Sequence, residues 1–65
     1  MKIDKAKFEQ ELARIIMSKV DFCREYHISY QTLMKALREN ENVRPDTVGR
    51  IAAALGGDIE RIIKD

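Results

Sequence analysis

The chain has few of the residues that staple or anchor small proteins. Its 65 residues include one cysteine (Cys23), one proline (Pro45), three glycines and no tryptophan. A single cysteine excludes an internal disulfide, and no cluster of cysteine and histidine predicts a zinc site. No apolar run approaches the length of a membrane span, and the first residues do not resemble a signal peptide. We therefore expect a cytoplasmic protein.

Sequence signatures of catalysis and cofactor binding are missing as well. No serine, histidine and aspartate are arranged as a catalytic set, and there is no glycine-rich phosphate loop. The pair Gly56-Gly57 is explained as the stop signal of a helix. We therefore predict that the chain is not an enzyme and takes no cofactor or metal.

Length and charge limit the remaining possibilities. The chain predicts a single domain, residues 1–65, whose core at this size supplies only about 3–5 kcal/mol unless something staples it. Without disulfides or metal, a partner chain is the remaining staple, so we expect a homodimer. The net charge is only +1. Four basic against two acidic side chains give residues 17–38 a net charge of +2, which predicts one mildly basic face.

Apolar residues recur at helical spacing along the whole chain, and no stretch alternates like a half-buried strand. The first predicted helix follows the cap Asp4, and the next two follow Ser18 and Ser29. The apolar face of the first predicted helix consists of Ile3, Phe8, Leu12, Ile15 and Ile16. Pro45 suits the first position of a fourth helix, with Val48, Ile51, Ala52 and Leu55 on its apolar face. Asp58 is the predicted cap of a fifth. The pattern predicts a compact all-α bundle of five short helices.

The segment 18–38 predicts two short helices that share one tight turn. Apolar residues precede each serine cap, so that Met17 can staple onto Phe22 and Ile28 onto Leu33. We expect His27 to take a positive φ at the turn, and Cys23 to be buried where the two helices approach. A metal-binding or pH-sensing role for His27 is the alternative. The arrangement is typical of a helix-turn-helix, whose second helix enters the DNA major groove.

Polar residues on the outer face of the third helix are the candidate site. The predicted base contacts are Tyr30, Gln31, Met34 and Lys35, and the predicted phosphate contacts are Lys19, Arg38 and Arg44. The Gln31 amide can pair with adenine, and Lys35 can donate to guanine or to a phosphate. The simpler alternative is that this face is only solvated.

With these residues in place, the chain resembles the Cro/phage-repressor (xenobiotic-response-element, XRE) family. Residues 17–33 read Met-Ser-Lys-Val-Asp-Phe-Cys-Arg-Glu-Tyr-His-Ile-Ser-Tyr-Gln-Thr-Leu, where the family has Leu-Ser-Gln-x-x-Leu-Ala-x-x-x-Gly-Val-Ser-x-x-Thr-Ile. Residues 44–56 match a second family block that begins Arg-Pro and ends Ala-Leu-Gly. His27 replaces the usual turn glycine. The loop after the third helix is often basic in the family, but here it carries Glu39 and Glu41, whose carboxylates would repel phosphates.

The resemblance implies a lambda-repressor-like bundle with the helix-turn-helix at helices two and three. It also implies sequence-specific binding of double-stranded DNA by a nucleoid-associated homodimer on a palindromic operator. The function would be transcriptional regulation, as a repressor of phage or mobile-element type. Tyr30, Gln31 and Lys35 match positions that contact bases in the family. Met34 matches a position that often faces DNA, and Lys19 matches a position that contacts a phosphate.

A second function from a different class stays open. The same fold can serve as a protein-interaction module, such as an antitoxin-like or adaptor protein. Ile59, Ile62 and Ile63 would form a partly exposed apolar patch for a partner or for the second copy of a dimer.

Overall fold

The computed structural model describes residues 1–64, which contain four α-helices. They are α1 (Lys5–Arg14), α2 (Lys19–Tyr26), α3 (Tyr30–Ala36) and α4 (Pro45–Ala54). A single 3₁₀ turn (Ile59–Arg61) follows, and an isolated antiparallel bridge joins Ile3 to Ile63. The prediction of an all-α chain is confirmed for these residues, and α1 to α4 correspond to the first four predicted helices.

The fifth predicted helix is only the 3₁₀ turn. Asp58 precedes it with extended backbone, but the Asp58 side chain makes no capping hydrogen bond, so its predicted role as a cap is wrong. The N–H groups of Arg61 and Ile62 donate to carbonyls three residues back, at 3.0 Å each. So short a segment cannot recover the cost of nucleating an α-helix, and it stays in the tighter geometry.

The predicted N-caps of the first three helices are confirmed. Asp4 accepts from the Lys7 N–H at 3.2 Å, and Ser18 accepts from the Asp21 N–H at 3.1 Å. Ser29 caps α3 through the N–H of its third residue, at 3.4 Å. Pro45 is the first residue of α4, as expected from its fixed φ. Each helix therefore begins where a short stretch of sequence requires it to.

Large side chains from all four helices, and from the residue that follows the 3₁₀ turn, meet in one core. Those with almost no exposed surface are Phe8, Phe22, Leu33, Val48, Ile51 and Ile62. The rings of Phe8 and Phe22 pack edge to face, with centroids 5.6 Å apart and planes at 83°. Such pairs add stability beyond their buried area, so this contact holds α1 against α2.

The C-terminal segment returns to the start of α1. The Asp4 N–H donates to the Ile62 carbonyl at 2.7 Å, and the Lys64 N–H donates to the Lys2 carbonyl at 2.8 Å. This return buries Ile62, which is 1% exposed, so the prediction that Ile62 belongs to an exposed patch is wrong. Ile59 and Ile63 are half-buried against the same core.

One residue of the first predicted apolar face lies outside the core. α1 ends at Arg14, and Ile16 follows it with φ 54° and 91% of its surface exposed. The helix stops before Ile16, and the left-handed backbone at Ile16 itself turns the chain away from the helix axis, which leaves this side chain in solvent. The placement of Ile16 on the buried face was therefore wrong. None of the helices within residues 1–64 has the length and apolarity needed to cross a membrane.

Candidate nucleic-acid interface

A three-residue turn sets α3 against α2. His27 is left-handed (φ 56°, ψ 41°), as predicted, and its N–H donates to the Cys23 carbonyl. The N–H of Ile28 donates to the same carbonyl at 3.0 Å, and the Ile28 side chain is buried. Because Ile28 is anchored in the core and Ser29 immediately caps α3, the direction of α3 is fixed at its first residue.

α3 buries one face and exposes the other. Leu33 and Ala36 are buried, at 0% and 5% exposure. Tyr30 is 47% exposed, and Gln31 and Lys35 also lie at the surface. Met34 is different: it is half-buried and packs against the core, so only part of its side chain is accessible to a ligand. The outer face of α3 therefore consists of Tyr30, Gln31 and Lys35, with Met34 at its border.

Arg38 does not share this face. α3 ends at Ala36, with Leu37 as its C-cap, so Arg38 lies beyond the helix in a turn where its N–H donates to the Lys35 carbonyl at 3.2 Å. Its side chain lines a different cleft, together with residues of the α1 N-terminus and Lys64. The prediction that Arg38 lies on the outer face of α3 together with Lys35 is wrong, because the helix ends at Ala36, two residues before Arg38.

The other two predicted phosphate contacts have carboxylate partners. Lys19 Nζ lies 3.3 Å from Glu9 Oε1 on α1, and Arg44 Nε lies 3.5 Å from Asp46 Oδ1. The pairing of Lys19 with Glu9 was missed, because it depends on how α1 and α2 cross. Exposed pairs of this kind contribute only about 0–1 kcal/mol, so a phosphate could replace either carboxylate at low cost.

Lys35 and Arg44 meet across a cleft between α3 and α4. The cleft encloses about 170 Å³ and is also lined by Thr32, Thr47 and Glu41. Glu41 is half-buried there, so the acidic residue of the loop lies beside the cations rather than away from them. The two threonines are functional candidates that sequence reasoning missed. The sequence contained a signal for Thr32, which lies three residues after the cap Ser29 and therefore about one helical turn along the flank of α3.

Cys23 lies behind the interface. Its side chain is buried, and burial raises the pKa of the thiol above its ordinary value, so the group stays protonated at neutral pH. Such a thiol packs as a small apolar residue. Residues 1–64 contain no group of three or more histidine, cysteine or acidic side chains that could hold a metal ion.

Compared with protein-family models, with curated proteins and with solved structures, the chain shows no significant match to any of them. A function for this chain is therefore inferred from its own residues and from the geometry of α2, α3 and α4.

Proposed function

We propose that this chain is a sequence-specific double-stranded DNA-binding protein of the lambda-repressor-like type, which places α3 in the major groove. It acts as a transcriptional regulator, in the manner of a repressor. The reading residues are Tyr30, Gln31 and Lys35, with a marginal contribution from Met34. Its role is binding rather than catalysis.

The observation that carries the proposal is the geometry of the capped pair α2 and α3. Two helices of eight and seven residues are joined by a three-residue turn with a left-handed His27, and both start at a serine cap. The second helix is anchored through Leu33 and exposes an amide and an ammonium group one turn apart. A helix presented in this way can enter the major groove, where Gln31 can pair with adenine and Lys35 with guanine.

We further propose that the protein binds a palindromic operator as a homodimer. Ile62 is unavailable for the contact, because it belongs to the core of the monomer. Ile59 and Ile63 remain as half-buried apolar residues next to it. Sedimentation at increasing concentration tests this part, with Ile59→Ser as the variant that lowers dimerisation. A sedimentation coefficient that stays at the monomer value would contradict it.

The first experiment on DNA binding measures affinity for a random-sequence duplex as salt is raised. Each neutralised phosphate contributes a slope of about −0.9 to log K against log salt. With Lys19 and Arg44 as backbone contacts, we expect a slope of roughly −2 per protomer. An affinity that does not change with salt would count decisively against DNA binding.

The second experiment separates base reading from backbone attraction. Gln31→Ala should weaken binding to the selected operator by about 1–3 kcal/mol and relax the preference at one base pair. Gln10→Ala is the matched control, because it removes the same amide from the exposed side of α1. Lys19→Ala should weaken all duplexes alike. If Gln31→Ala and Gln10→Ala bind operator and random duplex equally well, α3 is not the reading helix.

The alternative class, a protein-interaction module, is favoured by one observation. Ile16 is 91% exposed and Val20 is 51% exposed, so two large aliphatic side chains close in sequence are open to solvent. Both flank Lys19 at the start of α2. An antitoxin-like or adaptor protein would keep its partner affinity in Gln31→Ala and lose it in Ile16→Ser, which is the reverse of the pattern expected for DNA binding.

A further inference from the structure

A second cleft between α3 and α4 has no acidic side chain in its lining. It encloses about 260 Å³ above two buried isoleucines, and its polar lining consists of His27, Ser29, Thr32, Thr47 and Arg50. Three of these residues carry hydroxyl groups, and one carries a permanent positive charge. A water molecule occupies about 30 Å³ in the liquid, so the cleft can hold a small hydrated anion.

Arg50 differs from most other arginines of the chain. The sequence contains six arginines, and four of them (Arg14, Arg24, Arg44 and Arg61) lie within 4.0 Å of a carboxylate oxygen. Arg50 makes no such pair with any residue between 1 and 64 and is exposed at the rim of the cleft. Two guanidinium groups, those of Arg38 and Arg50, therefore have no carboxylate within 4.0 Å among residues 1–64, and of the two only Arg50 lines the cleft with the three hydroxyl-bearing residues.

The chemistry of this lining selects a narrow class of ligand. A guanidinium offers parallel N–H donors that match the oxygen atoms of a phosphate, and serine and threonine hydroxyls donate to the same oxygens. A cation would be repelled by Arg50, and an apolar molecule would leave the hydroxyls without partners. Thr32 and Thr47 also line the neighbouring cleft, where Lys35 and Arg44 lie together with Glu41, so the cleft of Arg50 is the one of the two without a carboxylate in its lining.

We propose that the cleft centred on Arg50 binds a phosphate group. The group belongs either to the backbone of a nucleic acid or to a small phosphorylated molecule, and the cleft recognises the chemistry that both share. The proposal does not depend on DNA binding by α3, since the lining residues Ser29, Thr47 and Arg50 are not among the predicted base or phosphate contacts.

The test is a titration with inorganic phosphate at constant ionic strength, followed by the amide resonances of the full chain. We expect saturable shifts at Ser29, Thr32 and Thr47. Arg50→Gln should weaken binding at least about tenfold, because it removes charge-assisted hydrogen bonds. Thr47→Val should weaken it by about fivefold. The matched control is Arg24→Gln, which makes the same change of charge on the exposed side of α2 and should leave phosphate binding unchanged.

A parallel titration with a random duplex distinguishes the two sources of phosphate. If the ligand is a nucleic-acid backbone, Arg50→Gln weakens duplex binding and lowers its salt slope by about one, and free phosphate competes with the duplex. If the ligand is a small phosphorylated molecule, Arg50→Gln loses free phosphate while its duplex affinity stays that of the parent. Either result supports the cleft. The proposal is overturned if Arg50→Gln and Arg24→Gln behave alike in both titrations.

The two proposals fail separately. Phosphate binding that depends on Arg50, in a chain that binds no duplex, supports the cleft and removes the proposed function. Duplex binding that depends on Gln31, with Arg50→Gln no different from Arg24→Gln, removes the cleft and keeps the proposed function.

Discussion

The turns that end α1 and α4 have the same backbone hydrogen bonds but different residues at the same position. After α1, the N–H groups of Ile16 and Met17 donate to carbonyls of the last helical turn at 3.1 and 3.3 Å. After α4, those of Gly56 and Gly57 do the same at 2.9 and 3.1 Å. Both turns place one left-handed residue after the helix, at φ 54° in Ile16 and φ 72° in Gly56. This is the Schellman arrangement, in which glycine is the usual left-handed residue.

The difference shows that the geometry of these turns is imposed by packing rather than chosen by the local residue. A left-handed conformation costs a residue with a Cβ roughly 1–2 kcal/mol, and glycine avoids that cost. Ile16 adopts it although it is β-branched and gains no burial, being 91% exposed. The strain at Ile16 persists because Leu12 and Phe22, on either side of the turn, are buried in one core and require the chain to reverse there.

Side chains connect the two turns. Arg14, the last residue of α1, donates from Nη2 to the carbonyl of Leu55 at the end of α4, at 3.1 Å. Glu11 accepts from Arg14 at 2.9 Å and lies 3.6 Å from Arg61 in the 3₁₀ turn. The two helix ends therefore lie side by side, and substitutions at either one can be compared within one structural unit.

The largest expected difference is between two isoleucines: Ile16, which lies within the first turn, and Ile62, which lies six residues after Gly56 and directly after the 3₁₀ turn. Ile62→Ala should lower the free energy of unfolding by about 2–5 kcal/mol, because it leaves a cavity in the core. Ile16→Ala should change it by no more than about 0.5 kcal/mol, since the side chain buries nothing. Urea denaturation measures both. Equal losses in the two variants would mean that Ile16 packs against buried side chains and is not exposed.

The next effect concerns the glycine itself. Gly56→Ala should lower stability by about 1–2 kcal/mol, because alanine is strained at this φ. No atom lies within 4 Å of the added Cβ, so the cost is conformational and not steric. Gly49→Ala is the matched control: it lies inside α4 with equally free space, and there alanine should raise stability by about 0.5–1 kcal/mol. If Gly49→Ala lowered stability, the added methyl group would cost stability through packing, and the loss in Gly56→Ala could not be assigned to backbone strain.

Whether a feature could be predicted from the sequence depends on how far apart along the chain the groups lie that determine it. The caps Asp4, Ser18 and Ser29 and the left-handed His27 were predicted, because each depends on groups within about four residues. The exposure of Ile16 and the burial of Ile62 were not. The exposure of Ile16 depends on the reversal of the chain between the buried Leu12 and Phe22. The burial of Ile62 depends on the C-terminal segment pairing with the start of α1, as in the hydrogen bond from the Asp4 N–H to the Ile62 carbonyl, which joins residues 58 positions apart.

The candidate interface divides in the same way. The exposure of Gln31 and Lys35 followed from the spacing of apolar residues along α3. The partners of Lys19 and the hydroxyl-lined cleft of Arg50 did not, because they require the crossing of α1 with α2 and of α3 with α4. The length of α3 was also overestimated, since the apolar period continues to Leu37 while the helix ends at Ala36.

A smaller effect of opposite sign is expected at the first turn. Ile16→Gly should raise the free energy of unfolding by about 0.5–1 kcal/mol. Glycine removes the left-handed strain, and the entropy that the unfolded chain gains offsets only part of this stabilisation. Val20→Gly is the control, since this exposed residue lies inside α2, where glycine should cost about 1 kcal/mol. Thermal unfolding followed by circular dichroism resolves the two signs. A destabilising Ile16→Gly would contradict the view that Ile16 is strained.

The smallest effect tests the connection between the turns. The hydrogen bond from Arg14, supported by the charges of Arg14 and Arg61, lowers the pKa of Glu11 below its ordinary value of 4.5, although partial burial opposes the shift. A carboxyl whose pKa is lower in the folded state stabilises the fold above its unfolded pKa, and this stabilisation is lost as the pH falls through the folded value. Glu11→Gln should therefore be less stable than the parent at neutral pH, and the difference should shrink on acidification to about pH 3. Urea denaturation at both pH values measures it. A difference that is the same at the two pH values would mean that the pair with Arg14 contributes through packing alone, and that the two turns are held together by the backbone and the core.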